Sequence, residues 1–210
     1  MKKLIISCLI LMLLVGCGKK EEKDFSKGVF EGIKYEETTE VTTNIKIEME
    51  DQSIGIILLE LYPDIAPITV ENFQNLVSDK FFDGTIFHRV IKDFMIQAGI
   101  SATGKDSENI EGEFLANGID NHLKHERGVI SMARGGDQTS GFNTASSQFF
   151  IMHKASPGLD RQYAAFGKVI AGMDAVDKIA NTLVDDPNSM APKPLTDQVV
   201  KSIRFIKIIE

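Results

Sequence analysis

The chain has 210 residues, with 23 Lys and Arg against 30 Asp and Glu, a formal charge of −7 and no tryptophan. That length allows one ordinary domain plus an appendage, and the acidic balance argues against a nucleic-acid binder, whose phosphate contacts need a basic face. Both cysteines, Cys8 and Cys17, lie near the start, so the body holds neither a disulfide framework nor a cysteine metal site.

Met1, Lys2 and Lys3 form a basic start, and residues 4–15 are apolar except for Ser7 and Cys8. A membrane-spanning helix needs about 20 apolar residues. This run is shorter and gives way at once to Gly16, Cys17, Gly18 and two lysines, the pattern of a secretory signal. Leu14-Val15-Gly16-Cys17 resembles the bacterial lipobox, which implies that residues 1–16 are removed as a lipoprotein signal peptide and that Cys17 carries the lipid. The mature chain loses two lysines, and its formal charge falls from −7 to −9. Acyl chains at Cys17 would tether the body to the extracytoplasmic face of the cell membrane. The rest of 17–43 carries Lys19-Lys20-Glu21-Glu22-Lys23 and Glu36-Glu37-Thr38-Thr39-Glu40 with few periodic apolar residues, and reads as a flexible, solvated linker.

The pattern changes at Asn44. Ile45, Ile47 and Met49 alternate with Lys46, Glu48 and Glu50, as in a half-buried strand, and an apolar run over 54–61 makes the pair a hairpin. Pro67, Glu71 and the spacing of Val70, Phe73 and Val77 predict a helix over 67–77. Short β-type runs follow at 85–90, 94–99, 128–133, 148–153 and 165–169, then a helix at 173–181, a proline-containing loop at 184–195 and a strand at 199–209. About eight short strands with two helices suggest a mainly β domain over 44–210, a closed eight-stranded antiparallel barrel capped by the helices.

The most informative stretch is FHRVIKDFMIQ at 87–97, followed by GVISMAR at 128–134, SSQFFI at 146–151, Leu159-Asp160 and FGKV at 166–169. Together these resemble the cyclophilin family of peptidyl-prolyl cis–trans isomerases over essentially the whole of 44–210. The resemblance implies that Arg89 is the catalytic residue and that Phe94, Met95, Phe150 and Leu159 form a proline pocket. It also implies that Gln97 and Gln148 hold the substrate backbone, with Ala133 and Arg134 as a strand-like rim. The implied partners are proline-containing segments of exported proteins, met by a monomer that needs no cofactor and no metal.

The chemistry of this set can be argued without the resemblance. An X-Pro bond rotates over a barrier of roughly 18–20 kcal/mol because rotation breaks amide resonance, and no covalent bond is made or broken. No nucleophile, metal or acid–base pair is required. A fixed guanidinium that donates to the prolyl nitrogen as it pyramidalises gains strength only when resonance is lost, which is differential binding of the transition state.

Other residues have plainer readings. His122 and His125 have a metal-like spacing but no cysteine beside them. His88 reads as a brace for its own strand, and Ser131, Ser146 and Ser147 lack the setting of a hydrolase nucleophile. Two positions depart from the family pattern: Gly158 stands where a tryptophan is frequent, which implies weak cyclosporin binding, and Tyr163 stands where many members have histidine. The segment 135–144 is longer than in short members and reads as a mobile loop. Two rivals remain, a binding module of the same fold without turnover and a small-solute receptor, for which this body is short.

Overall fold

The computed structural model describes residues 22–103, 107–135 and 141–209. The proposed signal peptide, Cys17 and residues 136–140 of the 135–144 loop lie outside these described residues. Two strands, β1 (Lys27–Phe30) and β2 (Ile33–Thr38), precede the expected body. The body comprises β3 (Asn44–Met49), β4 (Ile56–Leu61), α1 (Pro67–Ser78), β5 (Arg89–Ile91), β6 (Met95–Ala98), β7 (Val129–Met132), β8 (Phe149–Met152), β9 (Ala165–Ala171), α2 (Met173–Ala180) and β10 (Val200–Ile208).

All strand pairs are antiparallel, in the order β1-β2-β10-β3-β4-β9-β7-β8-β6-β5. The fold is therefore mainly β with two helices, as expected, but two details differ. The described sheet has ten strands, not eight, and its ladder does not close. Between the β5 end and β10 there is only an isolated bridge, Ile86 to Val199, supported by Phe87 N donating to the Gln198 carbonyl (3.0 Å) and Val200 N to that of Thr85 (2.8 Å).

Over 27–38, the two additional strands correct the reading of 17–43 as a flexible linker. Glu31 and Gly32 both take positive φ (48° and 85°), which suits a two-residue hairpin turn whose twist matches its strands. The hairpin then adds to β10 through β2. It covers the outer face of the neighbouring strands, where Tyr35 packs with Ile56, Leu58, Ala171 and Ile206, flanked by Phe25, Phe30 and Ile33. This cover also overturns the half-buried reading of β3, because Lys46 is 0% exposed and Glu48 only 6%. Lys46 Nζ is held by Glu37 (2.6 Å), Glu48 (2.7 Å) and the Phe25 carbonyl (2.7 Å). Burial alone would raise the Glu48 carboxyl, but hydrogen bonds from Lys46 and Lys201 prevail and hold it below its usual range.

The inner faces of the strands enclose an aromatic core. Phe73 of α1 contacts Phe82, Phe149 and Phe166 at centroid distances of 5.1, 5.5 and 5.3 Å. The start of α1 has no cap from its own N-cap residue, Ala66. The buried carboxylate of Glu113 instead accepts from Ile68 N (3.0 Å) and Thr69 N (2.7 Å), satisfying donors that a helix start leaves open.

Removing the hairpin would strip two partners from a buried ammonium and uncover an apolar face. Breaking a buried ion pair typically costs about 3–5 kcal/mol. A chain beginning at Asn44 should therefore melt roughly 10 °C below one beginning at Glu22. Thermal unfolding of the two proteins checks this, and equal midpoints would make the hairpin a passenger.

Candidate active site

Strand period and register build the site. Side chains alternate along a strand, so Ile96 and Ala98 of β6 enter the core while Met95 and Gln97 face outward. Likewise Phe149 joins the core and Phe150 lies on the outer face. Register then aligns the outward residues: Arg89 pairs with Gln97, Gln97 with Phe150, and Phe150 with Ser131. One row thus crosses four strands. Between β6 and β8 the backbones approach so closely that a Cβ at Gly99 (φ +96°) would collide with the Ser147 carbonyl.

Arg89, Phe94, Met95, Gln97, Ala133, Arg134, Phe150, Leu159 and Tyr163 line one groove of about 310 Å³. Gln148 lies in the adjoining hollow, which shares Gln97, Ala133 and Arg134. All ten residues singled out in the body from sequence are therefore brought together. Phe94 sits in the β5–β6 turn and Leu159 on a short 3-10 turn (Pro157–Leu159). An added Cβ at Gly158, next to Leu159, meets nothing within 4 Å.

Arg89 is fixed by hydrogen bonds to two oxygens and a longer one from Nη1 to Met95 Sδ (3.9 Å). Nε donates to the carbonyl of Met190 (2.9 Å) and Nη1 to Oε1 of Gln97 (3.0 Å), while Gln97 Nε2 donates to Oε1 of Gln148 (3.0 Å). Nη2 makes no hydrogen bond among the described residues. Burial lowers the Arg89 pKa, slightly opposed by Tyr163, yet a guanidinium remains protonated in a protein. Arg134 lines the groove as expected, and it is also packed on three rings. Its guanidinium lies 4.8 Å from the Tyr163 ring centroid, 5.2 Å from Phe142 and 5.3 Å from Phe114, and Nε donates to the Gln162 carbonyl (3.1 Å).

Beneath the groove lies an arrangement that sequence reading missed. His125 Nε2 is 3.0 Å from Ser131 Oγ and its Nδ1 is 3.2 Å from Asp160. The geometry is that of a serine hydrolase triad, but Ser131 is 0% and His125 1% exposed, so no acyl substrate can reach it. The His125 ring stacks under Phe150 at 6.0 Å and braces it instead. His122 is exposed, so it and His125 do not converge on a metal. His88 does not brace its strand through Nδ1, which is buried without a hydrogen-bond partner. The carbonyl of Met190 was also missed, since nothing local ties residue 190 to Arg89, 101 positions away.

Comparison with known proteins agrees with this geometry. Residues 44–205 match the family described as cyclophilin type peptidyl-prolyl cis-trans isomerase/CLD. A peptidyl-prolyl cis-trans isomerase of Acinetobacter baylyi is 45% identical over 143 residues, covering 66% of this chain and 73% of its own. Peptidyl-prolyl cis-trans isomerase-like 3 of Gallus gallus is 40% identical over 152 residues, covering 71% and 89%. The crystal structure of a Cryptosporidium parvum cyclophilin superposes with a TM-score of 0.65 at 30% identity, covering 80% of this chain and 98% of that one. The same protein has been crystallised in the presence of the dipeptide Ala-Pro. Fold and groove thus define a peptidyl-prolyl isomerase, and the chain belongs to the cyclophilin-type family of these enzymes.

Burial lowers the pKa of both His88 and His125, against a backbone hydrogen bond at Ile86 in the first case and His125's hydrogen bond to Asp160 in the second. The unfolded chain therefore binds protons that the folded chain refuses, and stability rises with pH in that range. The contribution is complete above the unfolded value near 6.5 and is lost as pH falls from there through the folded values. Urea midpoints should drop between pH 7 and pH 5.5, and His88→Asn should flatten the slope. An unchanged slope would mean that His88 does not titrate on unfolding.

Proposed function

We propose that the groove isomerises X-Pro bonds in exported proteins, with Arg89 as the catalytic donor. The observation that carries this reading is a guanidinium fixed by Met190 and Gln97 in the same groove as Phe94, Met95, Phe150 and Leu159. The apolar residues take the proline ring, and the ring pins one side of the bond. The uncommitted Nη2 protons of Arg89 supply the donor for the prolyl nitrogen as its lone pair is released by twisting. Gln97 and Gln148, linked to each other, offer the remaining amide groups to the substrate backbone. A relative crystallised in the presence of Ala-Pro supports a proline peptide as occupant.

The same reading places the enzyme outside the cytoplasm. A basic start, a short apolar run and the Leu14–Cys17 box support export and lipidation at Cys17, and exported chains arrive unfolded with slow X-Pro steps still ahead of them. Two acyl signals suffice for stable anchoring. Cys17→Ser should therefore move the protein from the membrane fraction to the soluble extracytoplasmic fraction or the medium, as checked by fractionation and immunoblotting. Retention in the membrane fraction would contradict anchoring at Cys17.

Removing one preorganised donor commonly costs about 10²–10³ in rate. Arg89→Ala should lower kcat/KM in a proline-peptide isomerisation assay by that order with the circular dichroism spectrum unchanged. Because no proton is transferred, kcat/KM of the parent should stay flat from pH 7 to 9. Near-normal turnover by Arg89→Ala would instead favour the binding-module reading.

A further inference from the structure

We propose that a second, apolar hollow beside the groove binds the flank of the same proline substrate, through a large apolar side chain two to four residues from the proline. This rests on the isomerase reading above and names a substrate preference for that site.

The hollow has a volume of about 320 Å³ and is walled by Val90, Ile91, Leu183, Val184, Pro187 and Pro192. No described residue lines both it and the proline groove, but the two adjoin in three ways. Arg89 lines the groove while the next two residues of β5 line the hollow. The 184–195 loop touches both, since Met190 accepts from Arg89 Nε and Pro192 accepts from Val90 N (3.0 Å). Ile91 also packs on the Met95–Phe150 cluster that floors the groove. A strand advances about 3.3 Å per residue, so an extended peptide leaving the groove along β5 reaches the hollow within a few residues.

The surface chemistry favours an apolar flank. Leu183, Met190 and Leu195 are 76%, 88% and 65% exposed, three of the nine large apolar side chains that stand out on the described surface, and all belong to this one loop or its first residues. Of the three, Leu183 lines the hollow itself, and Leu195 is tied to it through the backbone, so exposed apolar surface borders the hollow. No carboxylate lines the hollow, and Lys92 is its one charged lining residue.

The wall is also built in advance. Asp185 accepts from Lys193 N (2.9 Å) and Asp186 N (2.7 Å), and Val184 bridges to Pro194. Leu195 N closes the loop on the Leu183 carbonyl (2.8 Å). Pro187, Pro192 and Pro194 fix their own φ, so little order remains to be imposed on binding.

The test compares an alanine-flanked peptide with a series that has the same X-Pro core and a single leucine two, three or four residues from the proline on either side. For the parent protein, the best leucine position should raise kcat/KM about tenfold over the alanine peptide, a fraction of what full burial of a leucine yields. Leu183→Glu, a change at an exposed side chain, should reduce that advantage to twofold or less and leave the alanine peptide unaffected. An advantage that survives Leu183→Glu, or the lack of any advantage in the parent, overturns the inference. An equal loss on both peptides overturns it too, because the loop would then act only through Arg89. Sedimentation showing a parent dimer that Leu183→Glu dissociates would assign the hollow to a second copy and overturn it as well. No turnover of either peptide by the parent overturns the isomerase reading and this inference with it.

Discussion

The hydrogen bond from Arg89 Nη1 to Gln97 Oε1 is the point through which strand register becomes chemistry. Arg89 and Gln97 are cross-strand partners on β5 and β6, and the next partner along the row is Phe150 on β8. A slip of one residue in any of these pairings would turn the donor or the proline floor into the core. The rest of the molecule guards that register. Core phenylalanines fill the inner face, and Gly99 allows the close approach of β6 to the chain entering β8. His125 sits beneath Phe150 and is itself tied to Ser131 and Asp160. A buried polar cluster in which each member has a partner is rigid, whereas a half-satisfied one is costly.

Much of this was legible in the sequence because the signals were local. Both helices fall within a residue of their expected ends, since Pro67 and the three-and-four spacing of Val70, Phe73 and Val77 mark α1, and the apolar face of Val176, Ile179 and Ala180 marks α2. Residues within 89–97 are close in sequence and lie on the paired strands β5 and β6, and the short run at 149–151 joins them on β8, so each motif read along the chain is also part of one patch in space. What stayed hidden required knowledge of distant partners. Lys46 and Glu48 alternate with apolar residues as solvent-facing side chains do, and only the hairpin lying over them shows that both are inside. The hairpin itself was obscured by charge, for Lys27, Lys34, Glu36 and Glu37 dilute an apolar pattern carried by Phe30, Ile33 and Tyr35. Ten strands in an open ladder follow from that one omission and from an edge where β5 is too short to pair along β10.

Arg134 illustrates a different limit. Its place in the motif was clear, but its role depends on three rings brought from residues 114, 142 and 163, no two of them near each other in the chain. A guanidinium stacked on aromatic faces is held by contacts that a lysine would not reproduce. The groove rim is therefore a packed element joined to the pocket wall at Tyr163, and not a free edge.

The zipped hairpin changes what a lipid at Cys17 would mean. Chain zipped into the hairpin and tied down at Glu22 and Lys23 would not pay out as slack, so a leash from an acylated Cys17 would shrink from some two dozen residues to the five steps between Cys17 and Glu22. At no more than ~3.6 Å per residue that is less than about 20 Å. An enzyme so moored does not sweep the space beyond the bilayer. With a lipid at Cys17, it would stay within about 20 Å of the bilayer surface.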